Sequence, residues 1–278
     1  LTRYPSARPA GENNAKGTSV SIPAVVQELI DGSGNSFHAK VARWFVANGW
    51  TITISPYYLD QSQGKARELD LIAEKTQQFS NSWGKYQGTI AIRLFVECKY
   101  LQGPSVFWFT AKDRVAVKRM LVSRGYEATN TYTDQHHYLG AADRVAKLFA
   151  SSKGRDVESE PFYKALNQSL NGLVSMKNQA PKVFMDRRHG GDQITLDFPV
   201  VVCNSFAQVY AADFNGQAET RLVNGNFLLD VQYAYVDQRG GSQNEHFLLD
   251  IVELDRLEEF AAAVSNDATL AGFFRARD

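Results

Sequence analysis

Ala66-Arg67-Glu68-Leu69-Asp70-Leu71-Ile72-Ala73 and, further along, Ile90-Ala91-Ile92-Arg93-Leu94-Phe95-Val96-Glu97-Cys98-Lys99-Tyr100 decide how this chain is read. Both runs are aliphatic and β-branched with partial period-2 alternation, the pattern of strands, and both carry charges where valine or isoleucine normally stands. Residues two apart on a strand share a face, which groups Glu68 with Asp70 and Glu97 with Lys99. Pairing the two strands as a hairpin brings Asp70 beside Glu97 and Lys99. Two hard oxygen donors with an ammonium alongside suit magnesium, which keeps several waters and takes its remaining ligands from a substrate phosphate. The same charges also suit cross-strand ion pairs on the wet face of an ordinary hairpin. The apolar neighbours Leu69, Leu71, Ile72, Phe95 and Val96 argue for burial, and buried charge demands a partner or a metal.

Upstream, Ser21 and Pro23 predict the start of a short helix through Ala24, Val25, Val26, Leu29 and Ile30, stopped at Gly32. A second helix is expected at about 36–48, with Phe37, Val41, Trp44 and Phe45 as its buried stripe and Gly49 as its stop. Thr51 to Leu59 reads as a strand, making an antiparallel meander with the Asp70 and Glu97 strands. Residues 1–19, with Pro5, Pro9, Gly11 and Gly17, read as an extended arm. Downstream, Lys112 to Arg124, Leu139 to Ala150 and Pro161 to Lys177 read as helices, the last with Phe162, Leu166, Leu170 and Val174 spaced every four. Leu196 to Ser205 is apolar enough for the centre of a sheet. Strands at about 207–213, 227–236 and 246–253, then a helix from Asp255, extend it.

Asp70 followed by Glu97-Cys98-Lys99, behind the helix Phe37-His38-Ala39-Lys40-Val41-Ala42-Arg43-Trp44-Phe45-Val46-Ala47-Asn48-Gly49-Trp50, resembles the PD-(D/E)xK nuclease superfamily over roughly residues 20–205. The resemblance implies an α/β fold: a restriction-endonuclease-like mixed β-sheet core flanked by helices, with a C-terminal αβ extension of the sheet at 206–278. Residues 20–278 then form a single domain. The implied function is a divalent-metal-dependent nuclease hydrolysing phosphodiester bonds, DNA before RNA, in restriction or defence. Magnesium, with manganese as a substitute, would be held by Asp70, Glu97 and the backbone carbonyl of Cys98, with Glu68 as a weaker ligand, while Lys99 positions or activates the water. Leu69 stands where many members have proline. His38 stands near where several carry a glutamate, so a third carboxylate would have to come from Glu28 or Glu68. Gln168 matches a glutamine that some members bring near the site, and with His38 it is an accessory candidate. The alternative is a catalytically inactive nuclease-fold module that binds nucleic acid or a protein partner.

The 30 basic and 30 acidic residues cancel, so contact with nucleic acid has to come from local clusters. Lys112, Arg114, Lys118 and Arg119 form the densest of these, and Arg187 and Arg188 a second in an evident turn beside His189. Asp134, His136 and His137 form a further group, but adjacent histidines are expected to point apart. Asp250, Glu253 and Asp255 read as the exposed side of an edge strand. Cys98 and Cys203 fit buried free thiols. No phosphate-binding glycine loop and no nucleophile elbow is present. With no apolar stretch long enough for a membrane and no signal-like start, a cytoplasmic protein is expected. Leu1 is not an initiator methionine, which fits a trimmed chain or a piece of a longer one. Cutting both strands of a duplex with one centre per chain calls for a homodimer or further subunits.

Overall fold

The first strand ends early, where Ser55 takes a positive φ of 50° and Pro56 follows with no N–H to donate. The structure, a computed structural model, describes residues 23–32, 34–81, 83–127, 129–151, 161–185, 191–216 and 218–276. Helices α1 (Ala24–Gly32) and α2 (Gly34–Ala47) lead into β1 (Thr51–Ile54), followed by the hairpin β2 (Tyr57–Asp60) and β3 (Lys65–Glu68). Next come β4 (Leu71–Ser80), β5 (Tyr86–Lys99), β6 (Ser105–Ala111), α3 (Arg114–Ser123), the single turn α4 (His137–Gly140) and β7 (Arg144–Ser151). The chain continues through α5 (Pro161–Met176), α6 (Lys182–Met185), β8 (Asp192–Cys203), β9 (Val209–Asp213) and β10 (Arg221–Leu222). It closes with β11 (Phe227–Val236), β12 (Ser242–Glu253) and α7 (Leu257–Arg275).

Among the described residues, ten strands form one mixed sheet in the order β1-β4-β5-β8-β12-β11-β7-β6-β9-β10, and β2 and β3 form a separate small sheet. The antiparallel β1-β4-β5 meander is as expected, and β8 joins β5 in parallel over twelve residue pairs at the sheet's centre. One face carries Leu94, Val96 and Val200 beneath α2, α3 and α7; the other carries Phe95, Val201 and Ile251 beneath α5. A large mixed sheet flanked by helices is therefore the architecture. No helix among the described residues is long and apolar enough to cross a membrane.

Three expectations are corrected. Glu68 and Asp70 do not share a strand: β3 ends at Glu68, β4 starts at Leu71, and Glu68 belongs to the small hairpin. The main-chain bonds Ser55 N–H to Asp70 O and Leu69 N–H to Pro56 O mark where the hairpin leaves the large sheet. Leu139 to Ala150 is not a helix but one turn and then β7, because pairing with β6 and β11 overrides the helical preference of its leucines and alanines. Asp250 is not on an exposed edge, since β12 runs between β8 and β11 and the carboxylate is buried. The N-terminal arm, Ser21, Arg187, Arg188 and His189 lie outside the described residues.

Candidate active site

The register of β4 on β5 places Leu71 opposite Val96, and so Asp70 beside Glu97. The backbone N–H of Asp70 donates to Glu97 Oε1 at 3.2 Å, and the N–H of Cys98 donates to Asp70 Oδ2 at 2.7 Å. Lys99 Nζ stands 3.9 Å from Glu97 Oε2 on the same face of β5. The structure thus brings Asp70, Glu97 and Lys99 together. Cys98 meets Asp70 through its amide, and burial pushes its thiol well up.

Glu97 is 1 % exposed, which removes the reading of a wet-face ion pair. Burial first, and the Asp70 charge second, push its carboxyl up to about 8, while Lys99, the Asp70 N–H and Lys164 pull it down. A buried acid facing another acid is short of positive charge. Added cation at this point is favourable, and the donor set is the hard oxygen one that magnesium prefers.

Helix α5 roofs the site. Phe162, Leu166, Leu170 and Val174 seat it on the sheet, Ser169 Oγ donates to Phe95 O at 2.8 Å, and Val200 N–H donates to Ser169 Oγ at 3.2 Å. Gly172 lets the helix come close, since a Cβ there would meet Leu69 Cδ2 at 3.4 Å. Gln168 Nε2 donates to the carbonyl of Glu68 at 3.0 Å, which fixes the hairpin rather than reaching a carboxylate of the site. One turn earlier Lys164 acts on Glu97, and the charge of Glu97 in turn reaches Tyr58 on β2, whose hydroxyl is pushed up first by burial and then by Glu97. Neither was identified from sequence. Lys164 was findable, because it lies four residues before Gln168 on one helical face; Tyr58 was not, because the hairpin's return over the site depends on the break at Pro56.

Glu68 is held by Tyr57 Oη at 2.9 Å and by Ser55, which with the weaker influence of His38 keep its carboxyl below its usual range. His38 projects from α2 toward this corner, and its Nε2 is buried with no hydrogen-bond partner. It does not join Asp70 and Glu97 in a set of ligand atoms within 4.8 Å of one another. Glu28 is exposed on α1.

The basic helix lies elsewhere. Val117 and Leu121 seat α3 on the face opposite α5, whereas Glu97 alternates with the opposite-facing Val96. Lys112 is buried, with Nζ 3.1 Å from Ala141 O, and burial pushes it down to about 8. Arg114 donates to Leu139 O at 3.0 Å and, with Lys118 at 2.9 Å, grips Asp134. Arg119 is exposed.

That same face holds a buried histidine cluster, correcting the expectation that His136 and His137 point apart. Their rings stack at 5.1 Å, and both meet Asp267 of α7. His137 Nε2 also reaches Asp250 at 3.2 Å, Tyr138 Oη donates to Asp250 Oδ2 at 3.3 Å, and His136 Nδ1 accepts the N–H of Tyr138 at 3.1 Å. His136, His137 and Asp267 could by distance hold a metal ion. Every ring nitrogen already has a protein partner, however, so the cluster stands complete as a tie between α4, β12 and α7. Comparison with family models, with curated proteins and with solved structures gives no match to this chain.

Proposed function

We propose that this protein is a divalent-metal-dependent nuclease in which Asp70 and Glu97 hold the ion and Lys99 serves the reacting phosphate. One observation carries the reading: the buried carboxylate of Glu97 beside the half-buried one of Asp70, tied by a main-chain hydrogen bond, with an ammonium 3.9 Å from Glu97. The carbonyl of Cys98 is a further oxygen donor at this corner. The ion, when bound, supplies Lewis acidity to a water and to the phosphoryl oxygens. Asp70 is held in position by the Cys98 N–H, so its carboxylate is presented without rearrangement. Glu97 must give up its proton to act as a ligand, which couples ion binding to proton release. Lys99 offsets charge on the phosphorane-like transition state as water adds to phosphorus, the ester P–O bond breaks and a proton passes to the leaving oxygen.

Incubating plasmid, linear duplex and single strands with magnesium, manganese or chelator tests this directly. Divalent-dependent product lost in Lys99→Ala is the expected result. The failure of His38 to complete a ligand set with Asp70 and Glu97, and the position of α3 on the far face, favour a second reading in which the fold binds nucleic acid or protein without cutting. Tight, metal-independent binding with no product would select it.

A further inference from the structure

We propose that nucleic acid approaches the Glu97 site as an unpaired strand, seated in the cleft between α5, the β2–β3 hairpin and the strands β7 and β11. The inference rests on the hydrolytic reading and narrows its substrate. Strands β7 and β11 pair at a single position, Leu229 with Ala146, so the large sheet is loosely closed there. A cleft of about 1590 Å³ occupies this region, with Tyr58, Lys164 and Gln168 in its wall. The same three residues lead to the site: Gln168 holds the carbonyl of Glu68 at 3.0 Å, two residues before Asp70, Lys164 acts on Glu97, and Glu97 acts on Tyr58. Asp70, Glu97 and Lys99 do not line the cleft, which makes it an approach to the reacting groups rather than their chamber.

The chemistry of the wall selects the form of the strand. A duplex needs cations along two phosphate backbones. The densest basic segment, α3, faces away, and Lys112, Arg114 and Lys118 are bonded to Ala141, Leu139 and Asp134. The cleft instead carries the tyrosines Tyr163 and Tyr233 and the amides of Asn171 and Gln232, with two separated cations, Arg67 and Lys147, that lie on the wall beside Asp60 and Asp230 and are about two-fifths exposed. Aromatic faces stack on any base, amides bond the base edges that only an unpaired strand exposes, and spaced cations are enough for one backbone. Asp230, also in the wall, is 3 % exposed; its Oδ1 is held by Lys147 at 2.7 Å and by His246 at 3.0 Å, while its Oδ2 has no partner. Its burial behind Lys147 keeps that negative charge off the surface that an approaching backbone would meet.

Fluorescence anisotropy in the presence of chelator separates binding from cleavage. The probes are a labelled mixed-sequence strand of about 15 nucleotides, as DNA and as RNA, and the same DNA sequence as a duplex. The expected result is single-strand binding about ten-fold or more tighter than duplex binding, weakened about ten-fold by Tyr163→Ala with Asn171→Ala while circular dichroism is unchanged. Equal or tighter duplex binding, no binding of either form, or single-strand affinity untouched by the double substitution overturns the proposal. Magnesium-dependent cutting without single-strand preference removes the cleft inference and leaves the nuclease reading in place. Single-strand binding that depends on Tyr163 and Asn171, with no metal-dependent cutting, does the reverse.

Discussion

Asp70 donates its backbone N–H to Glu97 Oε1 at 3.2 Å, so two carboxylates that repel each other are tied by the main chain of one of them. The tie brings the half-buried Asp70 against the buried Glu97, and the expense appears as the displaced titration of Glu97. Its carboxyl moves from 4.5 to about 8, so between those values the folded state holds a proton that the unfolded state has released. Stability therefore falls as pH rises through this window. Glu97→Gln is expected to be more stable than wild type at about pH 8.5, by on the order of a few kcal/mol, and equal to it at about pH 4, in urea melts with chelator present. Magnesium should narrow the gap by stabilising the wild type alone.

Lys99→Ala should fold and bind manganese as the wild type does, yet lose cleavage by about 10²–10³-fold, the usual effect of removing one charge-stabilising donor. Turnover at the wild-type rate would remove Lys99 from the mechanism.

The histidine cluster predicts stability that declines on both sides of neutrality. Burial pushes His136 from 6.5 down to about 3, so acid unfolds the protein by protonating a ring that must be neutral when folded. Burial also opposes a charge on His137, but Asp267 and Asp250 together outweigh it and raise the ring to about 10. Its contribution is complete below pH 6.5 and is lost as pH rises toward 10. His137→Gln should remove the part of the alkaline decline that lies between pH 8 and 10, beyond the Glu97 window, and leave the acid decline, as read by thermal melts across pH.

Arg93, 3 % exposed on β5, bonds Asp197 at 2.7 Å and the carbonyl of Gln179 at 2.9 Å, joining the two central strands to the segment after α5. Arg93→Ala leaves Asp197 without its cation and should cost about 3–5 kcal/mol in denaturant melts. Arg93→Met with Asp197→Leu should recover much of that loss.

Asp70, Glu97 and Lys99 were legible because a period of two and one hairpin register are enough to bring them together. Glu68 was misplaced because Pro56 and the positive φ of 50° at Ser55 turn the hairpin out of the sheet, and the consequence of a break on one strand for its partner is not local. The segment at 139–150 carries leucines and alanines that suit either state, and only its neighbours β6 and β11 decide between them. The histidine cluster was hidden by sequence distance: Asp250 and Asp267 lie 113 and 130 residues from His137. The functional basis of α3 looked persuasive in sequence because charge density does not reveal that Lys112, Arg114 and Lys118 face their own chain.

The ion site itself is tested most directly by crystals grown with manganese and an anomalous difference map at the manganese edge. A peak at the carboxylates of Asp70 and Glu97 is the predicted result. No peak between them, or a peak only among His136, His137 and Asp267, would contradict the assignment.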